Sequence, residues 1–286
     1  MGIATVSSSG ALIVIAAAPG LAIAFWRNAL AAGALAPISL TYRRHELRGM
    51  GTHKWSLLAG LALAVHFGTW VPSVKLTTVA TATALGCSQP IWAGLIAAAL
   101  GRRLSGLTWL GMVVAVAGAV IAIGPDFRQG GPALLGDVLA TIGGFAGAVY
   151  TLLGERARQG FTTTTYTFVC YGVCAAALLS VCVLFGVPLI GYTATTWAAI
   201  AALTVGAQLL GHSMFNYAVH KVPATTISVL VLLEVPGAGL LGWLLLDQTL
   251  PPVALAGLAI LIAGVAMVVL SPGARTARHP PQASVP

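Results

Sequence analysis

The stretch that decides the fold of this chain is Gln208-Leu-Leu-Gly-His212-Ser-Met-Phe-Asn216, a break at Lys221-Val-Pro223, and an apolar run to Leu246 that carries one acid, Glu234, followed by Pro236. A copy of it lies upstream at a constant offset of 146 residues with no gap. His212 falls on His66, Lys221 on Lys75, Pro236 on Pro90, Leu241 on Leu95, Leu246 on Leu100 and Leu250 on Leu104. Gly257 falls on Gly111, Ala263 on Ala117 and Gly264 on Gly118, which makes nine identities over the 53 positions 66–118. The Ala, Leu and Gly matches weigh little in a chain rich in them. The His, Lys and Pro matches weigh more: with six His in 286 residues, their recurrence in register marks an internal duplication.

The duplicated unit belongs in a bilayer. Hydrophobic residues make up 58% of the chain and charged residues only 7%, against roughly 25% charged in soluble domains. Nearly unbroken apolar runs of about 20 residues, the length needed to cross the hydrocarbon layer, tile the sequence. The short alternating segments of a membrane barrel are absent. The net charge of +8 is spread over connectors between the runs and is not a nucleic-acid footprint. Cys87, Cys170, Cys174 and Cys182 all lie in apolar runs, where a thiol acts as a small hydrophobe, and no spacing suggests a metal site or a cofactor.

Ten spans follow, predicted at Ile3–Ala18, Gly20–Tyr42, Trp55–Val74, Val79–Leu100, Ser105–Gly124, Leu135–Leu153, Thr164–Phe185, Thr195–Val219, Ala224–Leu246 and Pro252–Leu270. The first, at about 24 Å, is short for the bilayer and reads either as a short helix or as one truncated at its N-terminus, with a start upstream in the second case. The polar stretch Pro125–Pro132 divides the chain near its middle. The expected units are therefore a five-helix repeat over 1–125, a connector over 126–134, a second repeat over 135–271 and a disordered cytoplasmic tail over 272–286. Because five is odd, the second repeat must sit inverted. The fold class is thus an all-α membrane protein of ten transmembrane helices in two inverted repeats, the plan of many secondary transporters. With both termini cytoplasmic, eleven Lys and Arg fall inside and two, Lys75 and Arg128, outside. Such a bias sets the expected orientation in the cell membrane.

Polar side chains inside spans are costly and tend to face a cavity or a partner. Glu234 reads either as a proton-coupling or substrate-ammonium group, or as a structural ion pair with Arg27. Arg27 could instead snorkel to the outer interface. Gln208, His212, Phe215 and Asn216 share one helix face, and His66 and Trp70 form a similar pair in the first half. Gln89, Tyr150 and these residues outline a substrate site between the halves. Each His alone could equally be a hydrogen-bond partner between helices. Pro90 and Pro236 each remove a helical hydrogen bond, which makes them hinges or static kinks. Gly143 and Gly147 on the sixth span permit close helix packing.

At this point the chain resembles the drug/metabolite transporter superfamily, EamA type. The resemblance rests on Pro19 through Phe25-Trp26-Arg27, on His66-Phe-Gly-Thr-Trp70 with Gln89-Pro90-Ile-Trp92, and on Gln208 to Asn216 with Leu233-Glu234-Val-Pro236. It covers roughly Ser7 to Leu270 and implies a small-metabolite carrier, commonly an exporter. A Gly-Glu pair frequent in that family at the ends of the fourth and ninth spans is replaced here by Gly101-Arg102 and Asp247-Gln248.

The function expected from all this is secondary transport of a small metabolite, an amino acid among the candidates, by alternating access. Protons are a candidate coupling ion, and a monomer or a homodimer would serve. An intramembrane enzyme is the alternative from another class, but Ser213 beside His212 is the nearest approach to a catalytic pair, and adjacent helical residues do not face each other. A non-transporting scaffold is the third reading.

Overall fold

The computed structural model describes residues 2–48, 53–101, 103–157, 162–213 and 234–271; Arg102, Phe215, Asn216, Lys221 and the tail lie outside them. The described elements are α1 (Gly2–Ile15), α2 (Gly20–Pro37), α3 (Arg44–Leu47), α4 (His53–Ser73), α5 (Val79–Gly86), α6 (Gln89–Ala99), α7 (Gly106–Gln129), α8 (Gly131–Ala157), α9 (Thr163–Leu184), α10 (Ala194–Ala202), α11 (Glu234–Leu246) and α12 (Pro252–Leu270). Two π-helical stretches, Ile38–Tyr42 and Leu203–His212, prolong α2 and α10. Seven of the resulting helices are long and apolar enough to span a bilayer, and the shorter apolar helices Thr5–Ile15, Gly106–Ala122 and Glu234–Leu246 complete ten among the described residues.

The hydrophobic pattern is that of a membrane protein. Bulky side chains such as Val113, Val120, Leu184 and Leu244 are exposed on the outer faces, while the interior is rich in alanine, with Ala22, Ala31, Ala59, Ala82 and Ala140 fully buried. Lipid gives no hydrophobic reward for burying a leucine between helices, so small residues that let backbones approach take the interior.

The inverted plan is visible where the two halves meet through α7 and α12. A Cβ added to Gly111 would lie 2.8 Å from Gly264 O, and one added to Gly118 would lie 2.7 Å from Gly257 O. As positions rise along α7 they fall along α12, so these helices run antiparallel. Gly111 and Gly257 are repeat mates, as are Gly118 and Gly264; exchanging mates turns one contact into the other. A two-fold pseudo-axis therefore passes between α7 and α12, and the seam closes at its end with Ser271 Oγ bonded to Ser105 Oγ (2.5 Å) and Thr108 Oγ1 (2.6 Å).

Two expectations about element boundaries change. The helix of α7 runs through Pro125 to Gln129, where a polar connector begins in the sequence-based division, and α8 starts at Gly131. The change from apolar to polar composition marks the bilayer edge, whereas the helix stops only where Gly130 and Gly131 adopt left-handed φ of 66° and 73°. The fourth span is two helices: α5 ends at Gly86 and α6 begins at Gln89, with Pro90 in its first turn. Pro90 thus sits at a break in the span, just after Cys87 and Ser88.

The loops carry their own fastenings. Gln248, at the place of the replaced Gly-Glu pair, accepts a hydrogen bond at 2.9 Å from the backbone N–H of Val79 in the first turn of α5. Lys75 Nζ donates to the carbonyl of Ala16 just past α1 at 2.8 Å. Partial burial lowers the Lys75 pKa.

On α3, Glu46 reaches across to the start of α9. Its carboxylate accepts from Thr162 N at 3.0 Å and Thr162 Oγ1 at 2.9 Å, and lies 3.4 Å from Arg43 Nη1. Desolvation opposes its charge, but these bonds outweigh it and hold its pKa below the ordinary value of 4.5. The stabilisation is therefore complete above pH 4.5 and is lost as the pH falls through the depressed folded value. We expect Glu46→Gln to lower stability at neutral pH by about 1 kcal/mol, in the range of a lost N-terminal cap. The gap to wild type should close on acidification, as read from melting curves over a pH series. A gap that is constant with pH would show that the charge of Glu46 contributes nothing.

Candidate functional site

Arg27 projects from the middle of α2 into the protein and is fully buried, which rejects the snorkelling expectation. Its Nε–H donates to Gln208 Oε1 at 2.9 Å, and its guanidinium carbon lies 4.3 Å from the centroid of the Phe67 ring on α4. Gln208 Nε2 donates in turn to Asn28 Oδ1 at 3.1 Å, and Asn28 Nδ2 donates to Ala24 O at 2.8 Å. This buried chain links residues about 180 positions apart, one from each half. Asn28 and Phe67 are not among the candidate site residues, yet both belong to this cluster. A polar Asn beside Arg27 within an apolar run was the available signal for the first, and for Phe67 there was none.

Phe67 also gathers the two repeat-related histidines. Both imidazoles meet its ring edge-on, His66 at 4.8 Å and His212 at 5.8 Å between centroids. His66 Nδ1 is 2.7 Å from the carbonyl oxygen of Gly143 on α8, so the hydrogen-bonding role expected of a lone membrane histidine is filled here. Trp70 stacks parallel to His66 at 6.2 Å and donates its indole N–H to Ala82 O at 3.1 Å. Gln89 lies beside the same histidine, and Gly147 leaves room for both: a Cβ there would be 2.8 Å from Gln89 Nε2 and 3.1 Å from His66 Nδ1. Gly143 and Gly147 therefore shape the cluster besides packing helices.

The helix that presents Gln208 and His212 is π-helical from Leu203 to His212, closed by the Ser213 N–H bonding to the Gln208 carbonyl five residues back. Such wide turns recur at functional positions in helices. Ser213 Oγ lies 3.4 Å from Tyr171 Oη and 3.4 Å from the Gln208 carbonyl oxygen. Among the described residues those are its side-chain hydrogen-bond partners, and neither is the His212 imidazole.

Glu234, the first described residue of α11, lies beside the break in the fourth span, and its Oε2 accepts from Cys87 Sγ at 3.9 Å. It is not a hydrogen-bond partner of Arg27, whose Nη1 and Nη2 are both buried with no partner among the described residues. Of the two readings of Glu234, the ion pair with Arg27 has no direct hydrogen bond in this conformation, although the two groups act on each other electrostatically. Tyr150 packs against Tyr166 of α9, with ring centroids 6.2 Å apart. Asn216 lies outside the described residues. Pro236, the expected second hinge, lines a mostly apolar cavity of about 490 Å³ with Ala80, Trp243, Gln248 and Leu258. This cavity lies between α5, α11 and α12, apart from the Arg27 cluster. Among the described residues no group of three or more His, Cys, Asp or Glu could hold a metal ion.

Comparison with known proteins bears on the chain as a whole. The EamA-like transporter family matches residues 1–124 and 134–270. An uncharacterized transporter of Archaeoglobus fulgidus is 25% identical over 221 residues, covering 77% of this chain and 78% of that protein. A solved crystal structure at 19% identity aligns over 93% of this chain and 94% of its own with a TM-score of 0.61, a likeness of fold.

Proposed function

Because the chain belongs to the EamA-like transporter family, we propose that it is a secondary transporter of the cell membrane that exports a small metabolite by alternating access of its two inverted halves. Both termini are then cytoplasmic, in keeping with the distribution of Lys and Arg. The observation that carries this reading is the buried Arg27–Gln208–Asn28 chain together with Phe67 between His66 and His212. It brings hydrogen-bonding groups from both halves to one place inside the bilayer, where transporters of inverted design bind their cargo. Such groups are expensive within a membrane and are kept where a solute must be recognised.

In this reading His66, Trp70, Gln89, Gln208 and His212 contact the substrate. Glu234 carries the coupling proton or a cationic group of the substrate. The break before Pro90, with Pro236 in the first described turn of α11, lets the fourth and ninth spans flex. Proteoliposome flux of a pooled amino-acid and metabolite mixture tests it. We expect His212→Ala to cut flux at least about tenfold, the cost of roughly 1.4 kcal/mol of lost binding. Glu234→Gln should abolish the response of flux to a pH gradient. Gradient-driven flux that survives Glu234→Gln would remove that residue from coupling, and no flux of any compound by the folded wild type would overturn the transport reading.

A further inference from the structure

The Arg27 guanidinium is the strongest unmet polar demand in the described structure. A guanidinium offers five N–H donors in a planar fork. One of them, on Nε, is taken by Gln208, while Nη1 and Nη2 have no partner among the described residues although the side chain is fully buried. Phe67 covers a face of the guanidinium at 4.3 Å from the ring centroid. What remains is the edge carrying the two terminal nitrogens. Keeping an unpaired charge there is costly, because a buried ion must regain from protein groups what it loses in water. Gln208 and Phe67 are both neutral and orient the cation, while Glu234 acts on it only through space, without a hydrogen bond to Nη1 or Nη2. Asn28 fixes Gln208 in turn.

We propose that this free edge is the receptor for the carboxylate of the transported substrate, so that the cargo is a small monocarboxylate bound through Nη1 and Nη2 of Arg27. The inference rests on the transport reading above and adds the substrate class. The fork of a guanidinium matches the two oxygens of a carboxylate, giving two parallel charge-assisted hydrogen bonds. One guanidinium balances one negative charge. A phosphate monoester, close to two charges at neutral pH, would be left with an excess that no second cation of this cluster meets. Binding of the carboxylate satisfies the buried donors, so the liganded state is the one in which Arg27 costs least. Its neighbours divide the remaining work: Phe67 and Trp70 supply apolar and ring surface, and the histidines supply hydrogen-bonding imidazoles.

The test uses the purified full chain in detergent, melted in the presence of leucine, 4-methylpentanoate, leucinamide, isoamylamine or inorganic phosphate at millimolar concentration. We expect the two carboxylates to raise the melting temperature with an apparent affinity about tenfold or more better than the amide and the amine, the scale of charge-assisted hydrogen bonds. Arg27→Gln should erase that preference and Arg27→Lys should keep part of it. Gln208→Glu places a carboxylate against Arg27 within the protein, so it should fold and melt at or above the wild-type temperature yet lose the response to carboxylates. It decides the matter if Arg27→Gln does not fold. Equal responses to carboxylate, amide and amine, no response to any carboxylate, or a carboxylate response that survives Arg27→Gln would each overturn the proposal. An Arg27-dependent response to phosphate stronger than to the carboxylates would replace carboxylate by phosphate as the class and overturn it too. Flux in proteoliposomes separates the two levels: Arg27-dependent carboxylate binding without flux leaves this inference standing and removes transport, whereas flux of amides and amines leaves transport standing and removes the carboxylate.

Discussion

Replacing Gly118 by leucine is expected to leave little folded protein. Even a single added Cβ would lie 2.3 Å from the backbone N of Leu261 and 2.7 Å from Gly257 O. These are main-chain atoms of α12, which cannot rotate away as a side-chain tip can. The helices must separate along the whole seam, and with it the contact between the two halves loosens. Overpacking a core costs about 1–3 kcal/mol when side chains can adjust, and a clash with backbone belongs at or beyond the upper end. The repeat mate behaves alike, since a Cβ on Gly264 would meet the backbone N of Ala115 at 2.3 Å. Gly172 is the control, with nothing within 4 Å of its added Cβ. The measurement is the yield of monodisperse protein and its melting temperature in detergent. If Gly118→Leu melted within a few degrees of Gly172→Leu, the seam between α7 and α12 would not be the tight contact described.

Gly147→Ala is expected to do the opposite: the fold survives and transport suffers. The added methyl would stand 2.8 Å from Gln89 Nε2 and 3.1 Å from His66 Nδ1. Gln89 is a flexible side chain and can swing aside, so the stability change should stay within about 1 kcal/mol. His66 is held by Gly143 O at 2.7 Å and by Phe67, and has less freedom. The amide of Gln89 is therefore displaced from beside the imidazole, and we expect flux to fall by about an order of magnitude. A double-mutant cycle identifies the route. If the loss runs through Gln89, Gly147→Ala combined with Gln89→Ala should be no worse than Gln89→Ala alone. Full additivity, or wild-type flux in Gly147→Ala, would remove Gln89 from the site.

Side-chain partnerships across the bundle follow a different logic from the spans themselves. The sequence places Arg27 in the second span, yet its burial on Phe67 depends on how α2 is rotated against α4, which no apolar run encodes. The hydrogen bond from Arg27 to Gln208 joins residues 181 positions apart, and the thiol of Cys87, a small hydrophobe by sequence, stands against Glu234, 147 positions away, at the break in the fourth span. Tyr150 is a further case. Its place on α8 suits a cavity wall, and the stacking of its ring on Tyr166 of α9 is a contact that no sequence pattern announces.

By itself the sequence determined the solvent, the number of spans and their inverted duplication. Each of these follows from a one-dimensional requirement: a helix must keep about 20 apolar residues in hydrocarbon, its polar connectors must leave it, and two copies of an odd number of spans must oppose each other. His66 and His212, Pro90 and Pro236, Gly111 and Gly257 could be paired from the register of the repeat alone. Tertiary structure decided the rest: the extension of α7 to Gln129, the break within the fourth span, the unpaired edge of Arg27 and the glycine beneath Gln89. These depend on rotation and close approach of helices whose apolar faces all look alike to lipid, so they are set by which small residues and hydrogen bonds meet once the bundle has packed.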